Sequence, residues 1–273
     1  MRKTLCFIAF LCGSQTLWAA HYQAAQGDVL RVPAPISGKN ITVKALGKHW
    51  PVYSKDGKYI AWIGIHLSVK PATYDIHWFA GDAASVHQAV DKLDVKKGNF
   101  RVSHIKVAKK MSSFDQAALK RIRADQAAIK KAYQASVDVK PQWPAMIWPV
   151  EGIVSTPFAA QRYVNGEPRS PHSGLDIAAP TGTPVKAPLA GKVLLVADMF
   201  LNGTLVAIGH GDGLTTVYAH LNKAMVKVGD DVKQGDVFAE VGSSGRSTGP
   251  HLHWGVQFHG NKVNPLAMLG DHL

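Results

Sequence analysis

Only one stretch of this 273-residue chain, residues 113–136, carries a helical period. Elsewhere the apolar residues come in short β-branched and aromatic runs broken by Gly, Pro, Asp and Asn, which is the pattern of strands and turns. The chain is therefore expected to be mainly β. With 46% hydrophobic and 18% charged residues it is too apolar to stay disordered.

Residues 21–110 hold the first group of strand candidates: Asp28–Pro33, Asn40–Lys44, Tyr59–Ile63, Tyr74–Trp78 and an alternating run from Asn99 to Val107. A small β-sandwich-like accessory domain of immunoglobulin size is the simplest outcome. Residues 111–147 are read as a helix and a proline-rich linker. Leu119, Ile122, Ile129 and Tyr133 share one helix face, Ser113 to Gln116 fits a capping box, and the apolar stripe suits a helix packed between two domains. Pro141, Pro144 and Pro149 then block helix propagation and mark the boundary. Residues 148–273 form a second all-β domain, with strands expected at Gly191–Ala197, Thr204–Ile208, Leu214–His220 and His251–Phe258.

Residues 1–20 read as an export signal: Arg2 and Lys3 precede an apolar stretch, and Ala19-Ala20 offers small residues for cleavage. The apolar core is shorter than the roughly 20 residues that a membrane span requires. No later segment is long and apolar enough to span, so an exported, soluble product is expected, in the periplasm or cell envelope or secreted. Cys6 and Cys12 both lie in this segment. The mature chain then has no disulfide framework, thiol nucleophile or thiolate metal site.

The net charge of +12 is uneven. Residues 21–140 hold 20 Lys and Arg against 9 Asp and Glu (+11), whereas residues 141–273 hold 9 against 10 (−1). Such a basic half suits an anionic envelope polymer as partner. Export, and the lack of a stacking platform, argue against nucleic acid.

Two small motifs carry the chemistry. His172-Ser-Gly-Leu-Asp176 gives an imidazole and a carboxylate, and His251-Leu-His253 puts two imidazoles on one face of a strand. Three N/O ligands leave a fourth position for water, as catalytic zinc requires. Alternation places Tyr218 and His220 on one face of another strand, where His220 can act on a bound water. His210 falls at a glycine turn, where a histidine either caps backbone or reaches substrate. The glycine-rich run 242–249 lacks the Gly-Lys-Ser/Thr ending of a phosphate loop and is read instead as lining a groove.

Together these runs resemble the M23 (lysostaphin/LytM-type) zinc metallopeptidases. Arg169 to Val185 resembles the first zinc motif, Thr216 to Leu221 the middle histidine motif, and Gly242 to Gly255 the closing motif. The likeness covers roughly Trp148 to Pro265. It implies a LytM-type peptidase domain with Zn2+ held by His172, Asp176 and His253. It also implies His220 and His251 as catalytic residues and peptidoglycan peptides as substrate. Arg162, His210 and Tyr218 are candidate substrate contacts. One departure stands out: the family's Phe-Gly-x-Arg is here Phe158-Ala-Ala-Gln-Arg162, with Ala159 in place of glycine. The alternative is a non-catalytic LytM-like activator of other wall hydrolases, but such relatives lose metal ligands, and all five positions are present here. The accessory domain has two candidate roles, targeting or covering the groove in a latent state.

Overall fold

The computed structural model describes residues 20–82, 85–106, 114–139 and 145–270. Residues 1–19 of the expected export signal, with Cys6 and Cys12, Ser113 of the expected capping box, and Pro141 to Pro144 of the linker lie outside the described residues.

Eight strands make up the first part: β1 His21–Ala25, β2 Val29–Pro33, β3 Thr42–Ala45, β4 Lys48–Trp50, β5 Val52–Lys55, β6 Lys58–Gly64, β7 Ala72–Asp82 and β8 Ser85–Lys96. They form a five-stranded sheet, in the order β1-β8-β7-β3-β4, and a three-stranded sheet, β2-β6-β5. Alternation sends Val32, Trp62, Ile76, Trp78 and Leu93 into the core, all fully buried. The Asp91 carboxylate is buried among them. It is satisfied by the Trp78 indole N–H at 3.0 Å and the Ala20 amide at 2.8 Å.

The chain then crosses to the second part. Among the described residues of the run expected from Asn99 to Val107, only β9, Val102–Ile105, is a strand. The helix α1 spans Gln116–Gln134, and its N-cap is Asp115, whose side chain accepts from the Ala118 amide at 2.7 Å. Aspartate one turn from the first orphan amides caps as well as serine, so the Ser113 cap expected from sequence is displaced.

The second part contains β10 Ile153–Thr156, β11 Gln161–Val164, β12 Glu167–Pro168, β13 Leu175–Ala178, β14 Pro184–Lys186, β15 Gly191–Met199, β16 Gly203–Gly211, β17 Leu214–Ala224, β18 Asp231–Val232, β19 Val237–Val241, β20 His251–Phe258 and β21 Asn261–Val263. Its main sheet runs β10-β13-β20-β17-β16-β15-β18, with β14, β19 and β21 attached at the side. The fold is mainly β, as the sequence indicates.

The helix does not lie between the two parts. It packs on the second sheet against β15 and β16. Ala132 joins Met199, Leu205, Ala207, Val217 and Ala219 in a small core, and Arg121 pairs with Asp198 at 2.8 Å.

The two parts share one continuous apolar core. Trp50 stacks on Phe258 with ring centroids 6.1 Å apart. Tyr53 donates to Asp212 at 2.7 Å, and the buried Asn261 amide donates to the Gly64 carbonyl at 2.9 Å. Burial and the Asp212 charge both push the Tyr53 hydroxyl above its ordinary range, so it stays a donor.

Candidate metal centre and active site

β13 and β20 are antiparallel neighbours, with Asp176 opposite His253 and Ala178 opposite His251. Leu252 and Trp254 point into the main core. His251, His253 and Asp176 therefore share the opposite face, which is open to a groove of about 990 Å³. The chain entering β13 adds His172. Gly174 lets it pass: a Cβ there would lie 2.5 Å from the Trp254 carbonyl oxygen and 2.8 Å from the His253 ring.

Three ligand-type atoms converge. His172 Nε2 lies 3.0 Å from Asp176 Oδ1 and 3.0 Å from His253 Nδ1, and His253 Nδ1 lies 2.9 Å from Asp176 Oδ1. Two imidazole nitrogens and one carboxylate oxygen in a near-equilateral triangle fit a single divalent metal ion. The His172 Nδ1–H donates to the Pro157 carbonyl at 3.0 Å, which leaves Nε2 with its lone pair toward the site. Burial would raise the Asp176 carboxyl, but hydrogen bonds and charge from His172 and His253 outweigh it and hold it well below the usual carboxylate range. Burial pushes His253 down. Both groups thus stay in the metal-binding form near neutral pH.

His220 and His251 stand beside this triangle, their ring centroids 4.7 Å apart. Carbonyls fix both tautomers. His220 Nδ1 donates to Ser244 O at 2.9 Å and His251 Nδ1 donates to Gly249 O at 2.9 Å, so both Nε2 atoms carry lone pairs. Burial lowers the His220 pKa and keeps it neutral.

Simple alternation does not place His220. Tyr218 and His220 are two apart and are expected on one face, but the structure separates them. Val206 pairs with Tyr218 and Thr204 with Leu221, so β17 carries one extra residue there. His220 sits in the left-handed region at φ 61°. The bulge sends Leu221 into the core and turns the imidazole to the groove.

Two candidate substrate contacts are corrected. Tyr218 and His210 are fully buried. Neither lines the groove. Tyr218 packs on Phe238 and donates to Thr216 Oγ1 at 2.8 Å. His210 is on β16, not at the turn; its Nδ1–H donates to Ala190 O at 2.9 Å and its Nε2 accepts from Thr216 Oγ1 at 2.7 Å. Each polar atom finds an internal partner, so both residues serve the core. Arg162 does line the groove, as do residues of the glycine-rich loop. Sequence reasoning missed Arg101, Arg169 and Arg246, which also line it. No local pattern marks them, because they come from three separate segments.

The chain is similar to known peptidases. The model of Peptidase family M23 matches residues 170–265. A crystal structure of a peptidase M23 from Pseudomonas aeruginosa is 34% identical, covers 90% of this chain and 95% of its own, and superposes with a TM-score of 0.69. The likeness therefore extends well into the first part. A DD-carboxypeptidase/endopeptidase of Neisseria meningitidis is 39% identical over 115 residues, covering 42% of this chain and 26% of that protein. The peptidoglycan DD-endopeptidase ShyA of Vibrio cholerae is 40% identical over 97 residues, covering 36% of this chain and 23% of that protein. The chain thus spans about a quarter of the length of these curated relatives. On this combined evidence the chain belongs to peptidase family M23.

Proposed function

We propose that this protein is an exported, zinc-dependent endopeptidase that hydrolyses peptide cross-links of bacterial peptidoglycan. The carrying observation is the His172, Asp176 and His253 triangle with two further imidazoles beside it. Atoms about 3 Å apart can all lie within the roughly 2.0–2.2 Å of zinc–ligand bonds from one point. His172, Asp176 and His253 would hold the ion, and no cysteine competes in the mature chain. The activities named for the Neisseria and Vibrio relatives support a wall peptide as substrate. An export signal at residues 1–20 supports an extracytoplasmic site of action.

A bound zinc supplies Lewis acidity, which makes hydroxide available near neutral pH and polarises a carbonyl. The protein's own residues do the rest. The groove orients an extended peptide. His220 and His251, each with a lone pair at Nε2, accept a proton from the attacking water and return one to the leaving amine. Their protonated forms also stabilise the oxyanion that develops between these steps.

Full-length protein supplied with zinc is expected to release shortened muropeptides from isolated peptidoglycan, and His253→Ala is expected to release none. Equal release by both would refute the mechanism. Absence of stoichiometric metal in the purified protein would favour the non-catalytic activator instead.

A further inference from the structure

The arginines of this chain are not scattered. Residues 141–273 contain three, Arg162, Arg169 and Arg246, and all three line the groove; none of the six lysines in the same stretch does. Arg101, from the first part, joins them, so four of the eight arginines in the sequence face one cleft. Among the described residues the only carboxylate lining it is Asp176, already committed to the metal triangle. Among the described residues none of the four arginines forms a salt bridge with an Asp or Glu, whereas Arg121, outside the groove, does.

Strand register explains how they meet. β9 runs parallel to β11, with Ser103 opposite Arg162, and β11 pairs antiparallel with β12. Side chains alternate, so Arg101, Ser103, Arg162 and Arg169 share the groove face of this three-stranded sheet. On its other face His104 stacks on Tyr163 with centroids 4.7 Å apart, which pins the strand from the first part in place. Arg101 also donates to the Ser155 carbonyl at 2.9 Å. Across the groove, Arg246 lies over the Phe114 ring at 5.4 Å, and Phe114 in turn abuts Phe200. Stacking through its face leaves the guanidinium N–H edge free. Lysine offers a point charge, whereas arginine offers a planar fork that matches a carboxylate with two parallel hydrogen bonds.

Resting on the peptidase reading above, we propose that this groove selects anionic peptides. Arg162 and Arg169 on one wall and Arg246 on the other receive free carboxylates flanking the scissile bond. Arg101 makes the first part of the chain a specificity element of the groove. A cross-link whose carboxylates are amidated, or one made only of glycine, is then a poor ligand.

The test uses the full chain supplied with zinc and carrying His251→Ala, so that ligand is bound without turnover. Two probes are titrated calorimetrically: a synthetic cross-linked peptide dimer with free carboxylates, and the same dimer with every carboxylate converted to carboxamide. The free form is expected to bind at least about tenfold more tightly at low salt, with the ratio falling several-fold at about 1 M salt, where screening extends over only about 3 Å. Arg162→Gln and Arg246→Gln should each shrink the ratio several-fold, and Arg246→Lys should restore only part of it, while the melting temperature reports that each variant is folded. Equal binding of the two dimers, binding of neither, or a ratio unchanged in both glutamine variants overturns the proposal. Muropeptide release by the unsubstituted protein is read separately, so failure of the peptidase reading is distinguishable from failure of this one.

Discussion

At the scale of single residues, two of the eight described non-glycine residues in backbone that favours glycine stand at or beside the metal triangle: Ala159 at φ 60° and His220 at φ 61°. His220 gains a position facing the metal triangle. Ala159 gains nothing chemical, yet its amide donates to the His172 carbonyl at 2.9 Å and the His172 amide donates back to Ala160, so the turn sets where a metal-triangle residue begins. Left-handed backbone costs an alanine about 1–2 kcal/mol. Glycine would relieve that cost, but it adds about 0.4–1 kcal/mol of chain entropy and gives up a buried methyl worth about 0.8 kcal/mol. The three contributions nearly cancel. Ala159→Gly is therefore expected to shift stability by less than about 1 kcal/mol, whereas Ala159→Val, branched in the wrong region and overpacked, should cost more than about 2 kcal/mol. Urea unfolding of the two variants checks this; a tolerant valine variant would contradict the account. The replacement of the family's glycine is thus a near-neutral exchange, and Arg162 three residues on still reaches the groove.

At the scale of elements, the sequence was most legible where alternation is unbroken. The β20 bounds, His251 and Phe258, and the pairing of His251 with His253 follow from period two alone. Alternation failed at β17, because a one-residue bulge reverses the parity between Tyr218 and His220 and nothing in Tyr218-Ala-His220 announces it. It also failed for His210. Glycines on both sides suggest a turn, but β16 continues to Gly211 and carries the imidazole inside. That burial has a measurable consequence across three strands. Desolvation lowers the His210 pKa to about 4, against a slight opposing pull from the Ala190 carbonyl. The unfolded chain takes up this proton near pH 6.5 and the folded chain only near pH 4. Stability is thus intact above pH 6.5 and is lost as pH falls between these values, by about 3 kcal/mol at about 1.4 kcal/mol per pH unit. His210→Gln should flatten the stability–pH slope over that window by nearly one proton relative to the unsubstituted chain. An unchanged slope would show that the imidazole is not buried neutral.

At the scale of the whole molecule, two domains with a hinge were expected from a charge step and a proline cluster. Neither signal reports what packs on what. Trp50, Tyr53 and Gly64 look like ordinary strand residues, yet they meet Phe258, Asp212 and Asn261, about 160 to 210 positions away. Arg31 likewise donates to the Leu269 carbonyl at 2.8 Å, and the Asn264 amide donates to the Gly27 carbonyl at 2.7 Å. A core continuous across both parts implies that they unfold together. Calorimetry of the full chain should give one transition with equal calorimetric and van't Hoff enthalpies, and two resolved transitions would refute the shared core. A chain begun near Pro141 would expose Phe258 to water and remove the Gly64 carbonyl that the Asn261 amide binds. Its melting temperature should fall by several degrees. Such a truncation also removes β9, and with it Arg101 and Ser103 from the groove wall. Weaker binding of wall peptides after truncation would then report a broken groove as readily as a lost targeting module. The point substitution Arg101→Gln in the full chain separates the two, since it leaves the basic first part in place and alters only the cleft.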